Sequence, residues 1–284
     1  MASTPSQPSP KNPSSAPLPA AAPTVSAGQQ SSALPALSKY QLEIFPIEII
    51  KVFPAAGGAD SAYTGEGRDG MKYNIKTVSK TPNVPCAEWF SHKLAERIGI
   101  ASAFPAVVMV NNERAYGSRW ESGMLDQARN NEVLTGKLPG AALAGRFSAL
   151  YTYDVFLHNT DRHAGNYAFI QVDGLYRLVA MDFSRAWSWN GWPLPPLPLA
   201  AGCSTVATGR MIRQHFAFDH GEATKVMDSL VGVSRAHIDG IFDSMPVEWA
   251  DAPMKAAMLA WWGSADMTQR IDVIRKGLAN GTYL

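Results

Sequence analysis

One stretch of the 284-residue sequence, residues 141–184, constrains the fold more than any other. Over residues 141–158 the large apolar side chains recur every three or four positions, which predicts an amphipathic helix. Two short apolar segments follow at 166–172 and 176–181, and Asp173-Gly174 between them is a strong signal for a tight β-hairpin. The sequence therefore predicts a helix, a short polar loop and a hairpin in immediate succession.

Upstream of this stretch the pattern indicates several short strands and one helix. Residues 42–53, 71–78, 105–110 and 115–120 have the alternation and β-branched content of strands, and the small residues 55–63, including Gly57 and Gly58, form a glycine loop after the first. Residues 86–98 predict a helix that is closed by Gly99. We therefore expect a small sheet with one helix, followed by a mostly helical last hundred residues.

Residues 1–36 have a different composition from the rest of the chain. Pro, Ser and Ala occupy 24 of these 36 positions, and Lys11 is the only charged residue among them. Such a segment buries too little apolar surface to offset the entropy lost on ordering, so we expect a disordered tail.

Composition also excludes several classes of function. The 25 Lys and Arg residues against 24 Asp and Glu leave a formal net charge of +1, which provides no general attraction to nucleic acid or to anionic membranes. No segment approaches the roughly 18 consecutive apolar residues of a membrane-spanning helix. Cys86 and Cys203 form neither a disulfide framework nor a zinc site. We expect a cytoplasmic protein with no membrane span and no direct nucleic-acid partner.

The polar loop and the hairpin contain the candidate catalytic and metal-binding residues. Asp161 and Asn166 stand in the D-x-x-x-x-N spacing of the catalytic loop of phosphoryl-transfer kinases, and the hairpin then leads to Asp182 in D-F-S. This order lets one carboxylate face an attacking hydroxyl, while an amide oxygen and a second carboxylate reach Mg²⁺, which prefers hard oxygen ligands. Lys76, on a strand before the first helix, has the position of a phosphate-binding lysine.

Four separated segments, in the same order, resemble the HipA-like kinase family, and the D-R-H-x-x-N string is also similar to phosphatidylinositol kinases. The similarity covers about residues 42–275, nearly the whole globular part. The segments that carry it are Tyr73-Asn-Ile-Lys76, Asn159-Thr-Asp-Arg-His-Ala-Gly-Asn166, Ala180-Met-Asp-Phe-Ser184 and Pro246-Val-Glu-Trp249.

The resemblance implies a bilobal, protein-kinase-like α+β fold. A small antiparallel-sheet N-lobe would occupy residues 40–122 and a mostly helical C-lobe residues 123–284, with ATP between them and a hinge near 121–123. Asp154, on the helix before the loop, fits the family pattern as a structural carboxylate.

The resemblance also assigns roles within the predicted site. Asp161 is implied to be the catalytic aspartate, Asn166 and Asp182 to be the magnesium ligands, and Lys76 to bind the nucleotide. His163 is a second candidate catalytic residue in the same segment. Either of two helix residues can orient Lys76, and Glu88 is preferred to Glu96 because it lies nearer the helix start.

The predicted function is an ATP- and Mg²⁺-dependent kinase that transfers the γ-phosphoryl group to a hydroxyl, with a protein Ser or Thr as the preferred acceptor. An inactive nucleotide-binding module remains open, because Ser184 departs from the glycine of D-F-G. A variant that transfers the adenylyl group, with the nucleotide reversed in the same cleft, also remains open. The aromatic residues 187–192 and the Pro-rich residues 193–198 are equally consistent with a protein-substrate platform and with a packed loop. A metal-dependent hydrolase built on His158, Asp161, His163 and Asp182 is a third alternative.

Overall fold

The computed structural model describes residues 45–54, 63–187, 192 and 194–284. The predicted disordered tail at 1–36, the glycine loop with Gly57 and Gly58, and most of the aromatic segment after Trp187 lie outside these residues. Everything described belongs to one compact unit, Ser38–Leu284. The architecture is mixed, with a small sheet near the beginning and several helices after it.

The first part of the unit is a five-stranded barrel. Its strands pair in the order β1-β2-β3-β5-β4. Neighbouring strands are antiparallel except β1 and β4, which pair in parallel at Ile47 and Glu48 and close the sheet on itself. The strands are β1 (Ile47–Pro54), β2 (Tyr63–Gly67), β3 (Lys72–Lys76), β4 (Pro105–Val110) and β5 (Glu113–Arg119).

This closure corrects the expected wholly antiparallel sheet, and it has two structural causes. The pairing of β1 with β2 shifts register between Ile49 and Lys51, and such a bulge bends a strand enough to reach a second partner. The barrel interior is also narrow. A Cβ added at Gly65 would lie 2.6 Å from the side chain of Ile49, and one at Gly117 would lie 2.7 Å from Val108.

Helix α1 (Val84–Ile98) connects β3 to β4 and begins two residues before the predicted start. Pro85 sits in the first turn, where its missing N–H costs no helical hydrogen bond. Gly99 ends the helix with φ +79°. Both the apolar face and the face of Glu88 and His92 are buried, so α1 lies inside the molecule.

The next elements are α2 (Gln127–Leu134), α3 (Ala144–Leu157), β6 (Tyr167–Val172) and β7 (Leu175–Ala180). Strands β6 and β7 form the predicted hairpin, and Asp173 and Gly174 both have positive φ at its turn. His158 ends α3 in the left-handed conformation, and this sharp stop directs the following loop toward the hairpin. The loop and both ends of the hairpin therefore come together.

The last eighty residues of the chain are mostly helical, as expected, and these helices pack against α1 and α3. The helices are α4 (Ser204–Arg213), α5 (His220–Val231), α6 (Arg235–Asp243), α7 (Ala252–Trp261) and α8 (Ala265–Ala279). A bilayer-spanning helix, both long and apolar, does not occur in the described ranges.

Candidate functional site

A cavity of about 480 Å³ lies where the outer face of the barrel meets the loop before β6. Its volume falls within the range of roughly 300–1,000 Å³ typical of small-molecule sites. The barrel contributes Thr64, Asn74, Lys76 and Ser118, and the loop and hairpin contribute His163, Gly165, Asn166, Met181 and Asp182. Two separate parts of the sequence thus build one site.

A buried group of three charged residues, which we call the lysine cluster, forms one wall of the cavity. Alternation along β3 directs Lys76 outward, away from the barrel core, toward α1. Its Nζ forms a short ion pair with Oε1 of Glu88 and lies 2.9 Å from Oδ1 of Asp182. Lys76 and Glu88 are each about 1% exposed, whereas the side chain of Asp182 is 29% exposed.

The electrostatics of the lysine cluster favour the charged forms of Lys76 and Asp182. Burial acts against the ammonium of Lys76, but the carboxylates of Asp182 and Glu88 outweigh it and raise the pKa of the lysine. Burial likewise acts against the Asp182 carboxylate, yet Lys76 and the hydrogen bonds from Ser184 hold its pKa well below the usual range. The ammonium and this carboxylate remain ionised at neutral pH.

Backbone geometry fixes Asp182 in this position. Asp182 adopts φ +52°, a left-handed conformation that Asp tolerates better than most residues. The N–H of Ser184 donates to its Oδ1 at 3.0 Å, and the N–H of Phe183 donates to Oε2 of Glu88 at 3.0 Å. Glu88 therefore holds both Lys76 and the backbone that carries Asp182.

His92 lies one helical turn after Glu88 and shares its buried environment. Its Nε2 is 3.3 Å from Oε2 of Glu88. Burial lowers the pKa of His92 below its usual value, although Glu88 acts in the opposite direction. His92 is therefore neutral at physiological pH, and it adds no positive charge to the lysine cluster.

The loop between α3 and β6 places the other predicted residues. Asn166 is buried, lines the cavity and donates its Nδ2 hydrogen to the backbone oxygen of Asp161 at 2.8 Å. Asp161 is half-buried and is not among the residues that line the cavity. His163 does line it, and its Nδ1 accepts a hydrogen bond from the N–H of Gly165 at 3.1 Å. The side chain of His163 thus caps the short turn Ala164–Asn166.

Behind this loop lies a second buried ion pair, Arg162 with Asp154, which we call the arginine cluster. The guanidinium donates from Nε and Nη2 to the two oxygens of Asp154, at 2.9 and 3.0 Å, and both side chains are fully buried. Nη1 donates to the backbone oxygens of Asn166 and Met181. The guanidinium also lies 4.4 Å from the ring of Phe183.

The arginine cluster therefore ties α3, the loop and the end of the hairpin together. Sequence reasoning identified Asp154 as structural but missed Arg162, since Arg is mostly a surface residue. The adjacent D-R pair within an otherwise buried stretch was the available signal.

The positions of these residues bear on two alternatives that the sequence left open, the carboxylate that orients Lys76 and the metal-dependent hydrolase. Glu88 contacts Lys76, whereas Glu96 is exposed and pairs with Lys93 along the helix. The proposed hydrolase residues do not form a centre, because no group of three or more His, Cys, Asp and Glu side chains suited to a metal occurs in the described part of the chain. Burial, together with the nearby charge of Arg270, lowers the pKa of His158 to about 4.

The donor set does suit a magnesium ion carried by a phosphate ligand. Asn166 and Asp182 both line the cavity at the same end of the hairpin, where the N–H of Met181 donates to the backbone oxygen of Asn166 at 3.0 Å. Mg²⁺ is commonly held by one or two protein oxygens while substrate phosphates and water complete its shell. The Nδ2 of Asn166 is already engaged with Asp161, so its amide oxygen remains for a ligand.

Comparison with known proteins gives distant structural similarity only. No family model matches the chain, and no curated protein matches it. It is similar to the Helicobacter pylori proinflammatory kinase CtkA, at 14% identity and a TM-score of 0.49 over 80% of this chain and 95% of that one. It is also similar to Shewanella oneidensis HipA, solved with HipB and operator DNA, at 11% identity and a TM-score of 0.46 over 80% and 68%.

A third solved structure is the ADP-bound aminoglycoside phosphotransferase APH(2'')-Ib, at 12% identity and a TM-score of 0.30 over 79% of this chain and 93% of that one. At these levels of similarity, the assignment of function rests on the geometry of the site.

Proposed function

We propose that the protein is an ATP- and Mg²⁺-dependent phosphotransferase that moves the γ-phosphoryl group of ATP to a hydroxyl. The supporting observation is the position of Lys76, whose ammonium lies between Glu88 and Asp182 in the wall of a cavity that also presents Asn166. A buried ammonium, two magnesium-compatible oxygens and a cavity of ligand size are the parts that phosphoryl transfer needs.

Lys76 and the magnesium ligands have distinct proposed roles. Lys76 binds the phosphates and offsets their charge, and Glu88 keeps the ammonium in place. Asn166 and Asp182 would hold Mg²⁺, which supplies charge neutralisation at the phosphoryl oxygens when it is bound. Because these groups are fixed before the ligand arrives, little reorganisation is needed during transfer.

Asp161 is proposed to orient the acceptor hydroxyl and to receive its proton. Its backbone is anchored by Asn166, so the proposed base and one proposed magnesium ligand are held at a fixed spacing. His163 follows two residues later on the cavity wall and is proposed to contact the substrate rather than to exchange protons, because its Nδ1 already accepts a hydrogen bond.

The acceptor is proposed to be a protein Ser or Thr, and the setting to be cytoplasmic. The compartment is supported by Cys86 and Cys203, both of which are free thiols. We propose that residues 40–122 and 123–284 form two lobes with the nucleotide between them, and this is supported by the cavity, whose lining residues come from both segments.

The test is incubation of the purified chain with ATP and Mg²⁺, alone and with generic protein substrates, followed by intact-mass analysis and nucleotide separation. We expect phosphoryl increments or ADP release from wild type, and a decrease of about 100-fold or more in Asp161→Asn and Asp182→Ala. Asp272→Ala, at an exposed position on α8, is the matched control and should behave as wild type.

Other results would redirect or remove the proposal. An adenylyl increment would mean that the nucleotide binds in the reverse direction. ATP binding without turnover on any acceptor would favour an inactive module. Turnover by Asp182→Ala at the wild-type rate would refute the assignment of this cavity.

A further inference from the structure

The segment that carries Asp161 is held by a side chain from a distant part of the chain. Thr205, the second residue of α4, is fully buried. Its hydroxyl donates to the backbone oxygen of Asn159 at 2.6 Å and accepts from the N–H of Arg162 at 2.9 Å. One hydroxyl can both donate and accept, so a single side chain makes both bonds. Thr205 therefore holds the backbone immediately before and after the pair Thr160-Asp161.

The two backbone groups that Thr205 contacts are the ones that would close a four-residue turn. In a β-turn over residues 159–162, the oxygen of the first residue accepts directly from the N–H of the fourth. In this protein both groups are hydrogen-bonded to the Thr205 hydroxyl instead. The conformation of the segment therefore depends on a side chain that is not part of it.

The start of α4 makes a further bond to the same segment. The first N–H groups of a helix need acceptors from outside the helix, and Cys203 at the N-cap position provides no side-chain hydrogen bond. The N–H of Thr205 instead donates to the backbone oxygen of Thr160 at 3.4 Å. The loop thus caps α4, and the position of Asp161 is tied to that of this helix.

Hydrogen bonds within the loop fix the backbone of Asp161 itself. Its N–H donates to Oδ1 of Asn159 at 3.3 Å. Its oxygen accepts from the N–H of His163 at 2.9 Å and from Nδ2 of Asn166 at 2.8 Å. These bonds set the internal shape of the loop, whereas the bonds of Thr205 set the position of that shape relative to α4.

We propose that Thr205 is a positioning residue for phosphoryl transfer, because its hydroxyl holds Asp161 where the carboxylate meets the acceptor hydroxyl. This inference rests on the proposed function, since it assumes that Asp161 acts on the acceptor. A displacement of about 1 Å at such a group can reduce the rate about 100-fold. Thr205 is not among the residues that line the cavity, so it acts through Asp161 and not through contact with ATP.

The experiment compares two substitutions of Thr205 in the full chain. Valine has a shape similar to threonine but no hydroxyl, whereas serine keeps the hydroxyl. We expect Thr205→Val to lower kcat by about 10- to 100-fold and to leave the affinity for Mg-ATP, measured by calorimetry, unchanged. Thr205→Ser should keep most of the wild-type kcat. Thermal unfolding of the same samples sets an assay temperature at which every variant is folded.

Thr152→Val is the matched control. Thr152 on α3 is also fully buried, and its hydroxyl makes no hydrogen bond to the described residues. Both valine variants exchange a buried hydroxyl for a methyl group, so a general packing effect would appear in both. Only Thr205→Val should lower kcat.

Combination with Asp161→Asn tests whether Thr205 acts through Asp161. In that background the group that Thr205 positions is already lost, so Thr205→Val should lower the residual rate by less than about twofold. Transfer of a radiolabelled phosphoryl group from ATP is sensitive enough to measure these low rates.

The outcomes separate the inference from the function on which it rests. If wild type transfers the phosphoryl group and Thr205→Val has the same kcat, the positioning role is wrong while the proposed function stands. An equal loss with and without Asp161→Asn would also refute it, as would a loss in Thr205→Ser as large as in Thr205→Val. If wild type transfers the phosphoryl group to no acceptor, the proposed function fails and the role of Thr205 fails with it.

Discussion

The lysine cluster and the arginine cluster are both buried ion pairs, yet they leave very different capacity for a ligand. The guanidinium of Arg162 donates hydrogen bonds to both oxygens of Asp154 and to two backbone oxygens, and no part of this pair is exposed. Lys76 contacts two carboxylates at the edge of a cavity, and one of them, Asp182, is partly exposed. The first cluster holds the loops, and the second can exchange partners.

The choice of cation agrees with this division. Guanidinium has five N–H donors in a rigid plane, which suits a site where several fixed acceptors must be satisfied together. An ammonium on a flexible stem can keep one carboxylate and pass another to an incoming ligand. If Asp182 moves toward a magnesium ion, Lys76 keeps Glu88 as its partner.

The largest expected effect concerns activity in the lysine cluster. Lys76→Met should reduce phosphoryl transfer by about 100-fold or more, because the charge that offsets the phosphates is lost. Lys76→Met should also lower the free energy of unfolding, because it leaves the buried carboxylate of Glu88 without its cation. The decrease should be smaller than for Arg162→Met, since Asp182 can be hydrated and Glu88 still accepts the N–H of Phe183. Initial rates at saturating ATP and thermal unfolding of the same samples measure the two effects. Wild-type turnover in Lys76→Met would show that the lysine cluster does not act in phosphoryl transfer.

The second effect concerns stability in the arginine cluster. Arg162→Met leaves the carboxylate of Asp154 buried with one hydrogen bond, from Asn159, and should lower the free energy of unfolding by about 3–5 kcal/mol. The double variant Asp154→Leu with Arg162→Met removes both charges and should recover part of this loss. Denaturant titration gives both values. A smaller decrease in the free energy of unfolding for Arg162→Met than for Lys76→Met would contradict this prediction. It would mean that the lysine cluster contributes more to stability than the arginine cluster does.

Sequence patterns located most of the elements that carry these clusters. Strand β3, helix α1 and the β6–β7 hairpin lie within two residues of the expected bounds at all of their ends, since alternation, a closing Gly99 and Asp173-Gly174 are local signals. The preference for Glu88 over Glu96 agrees with the observed contact to Lys76, because the first turns of α1 are the ones that meet β3.

Other features depend on contacts between distant residues and were not predictable. The parallel pairing of β1 with β4 joins residues about 60 positions apart, and nothing within either strand specifies its partner. Helix α2 lacks an apolar periodicity, and its only clear local signal is the N-cap Asp126. The burial of Arg162 follows from tertiary packing, so a single sequence does not reveal it.

Acid should weaken the two regions through different histidines. Burial and Arg270 lower the pKa of His158 to about 4, against about 6.5 in the unfolded chain. Between these values the unfolded state binds more protons, so stability is complete above about pH 6.5 and falls as the pH decreases toward 4. His158→Asn fits the left-handed backbone at this position and should reduce the slope of stability against pH.

Unfolding titrations at several pH values measure this slope. His158 directly precedes Asn159, which donates a hydrogen bond to Asp154. The part of the pH dependence that His158→Asn removes is therefore assigned to the region of the arginine cluster. The acid sensitivity that remains should include His92 beside Glu88, whose pKa is also lowered by burial. An unchanged slope in His158→Asn would mean that this histidine does not titrate in the assigned window.

The smallest effect is expected from a third ion pair, which is exposed. Arg114 on β5 donates from Nε to Oε1 of Glu248 at 2.7 Å, and the side chains are 42% and 38% exposed. Glu248→Gln should cost less than about 1 kcal/mol, and high salt should remove even that difference, because exposed pairs are hydrated and screened. Trp249 keeps the contact through its indole N–H, which donates to the backbone oxygen of Arg114. A decrease in the free energy of unfolding above about 2 kcal/mol for Glu248→Gln would show that exposure alone does not distinguish this pair from the two buried clusters. The distinction would then have to rest on the geometry of the hydrogen-bond donors.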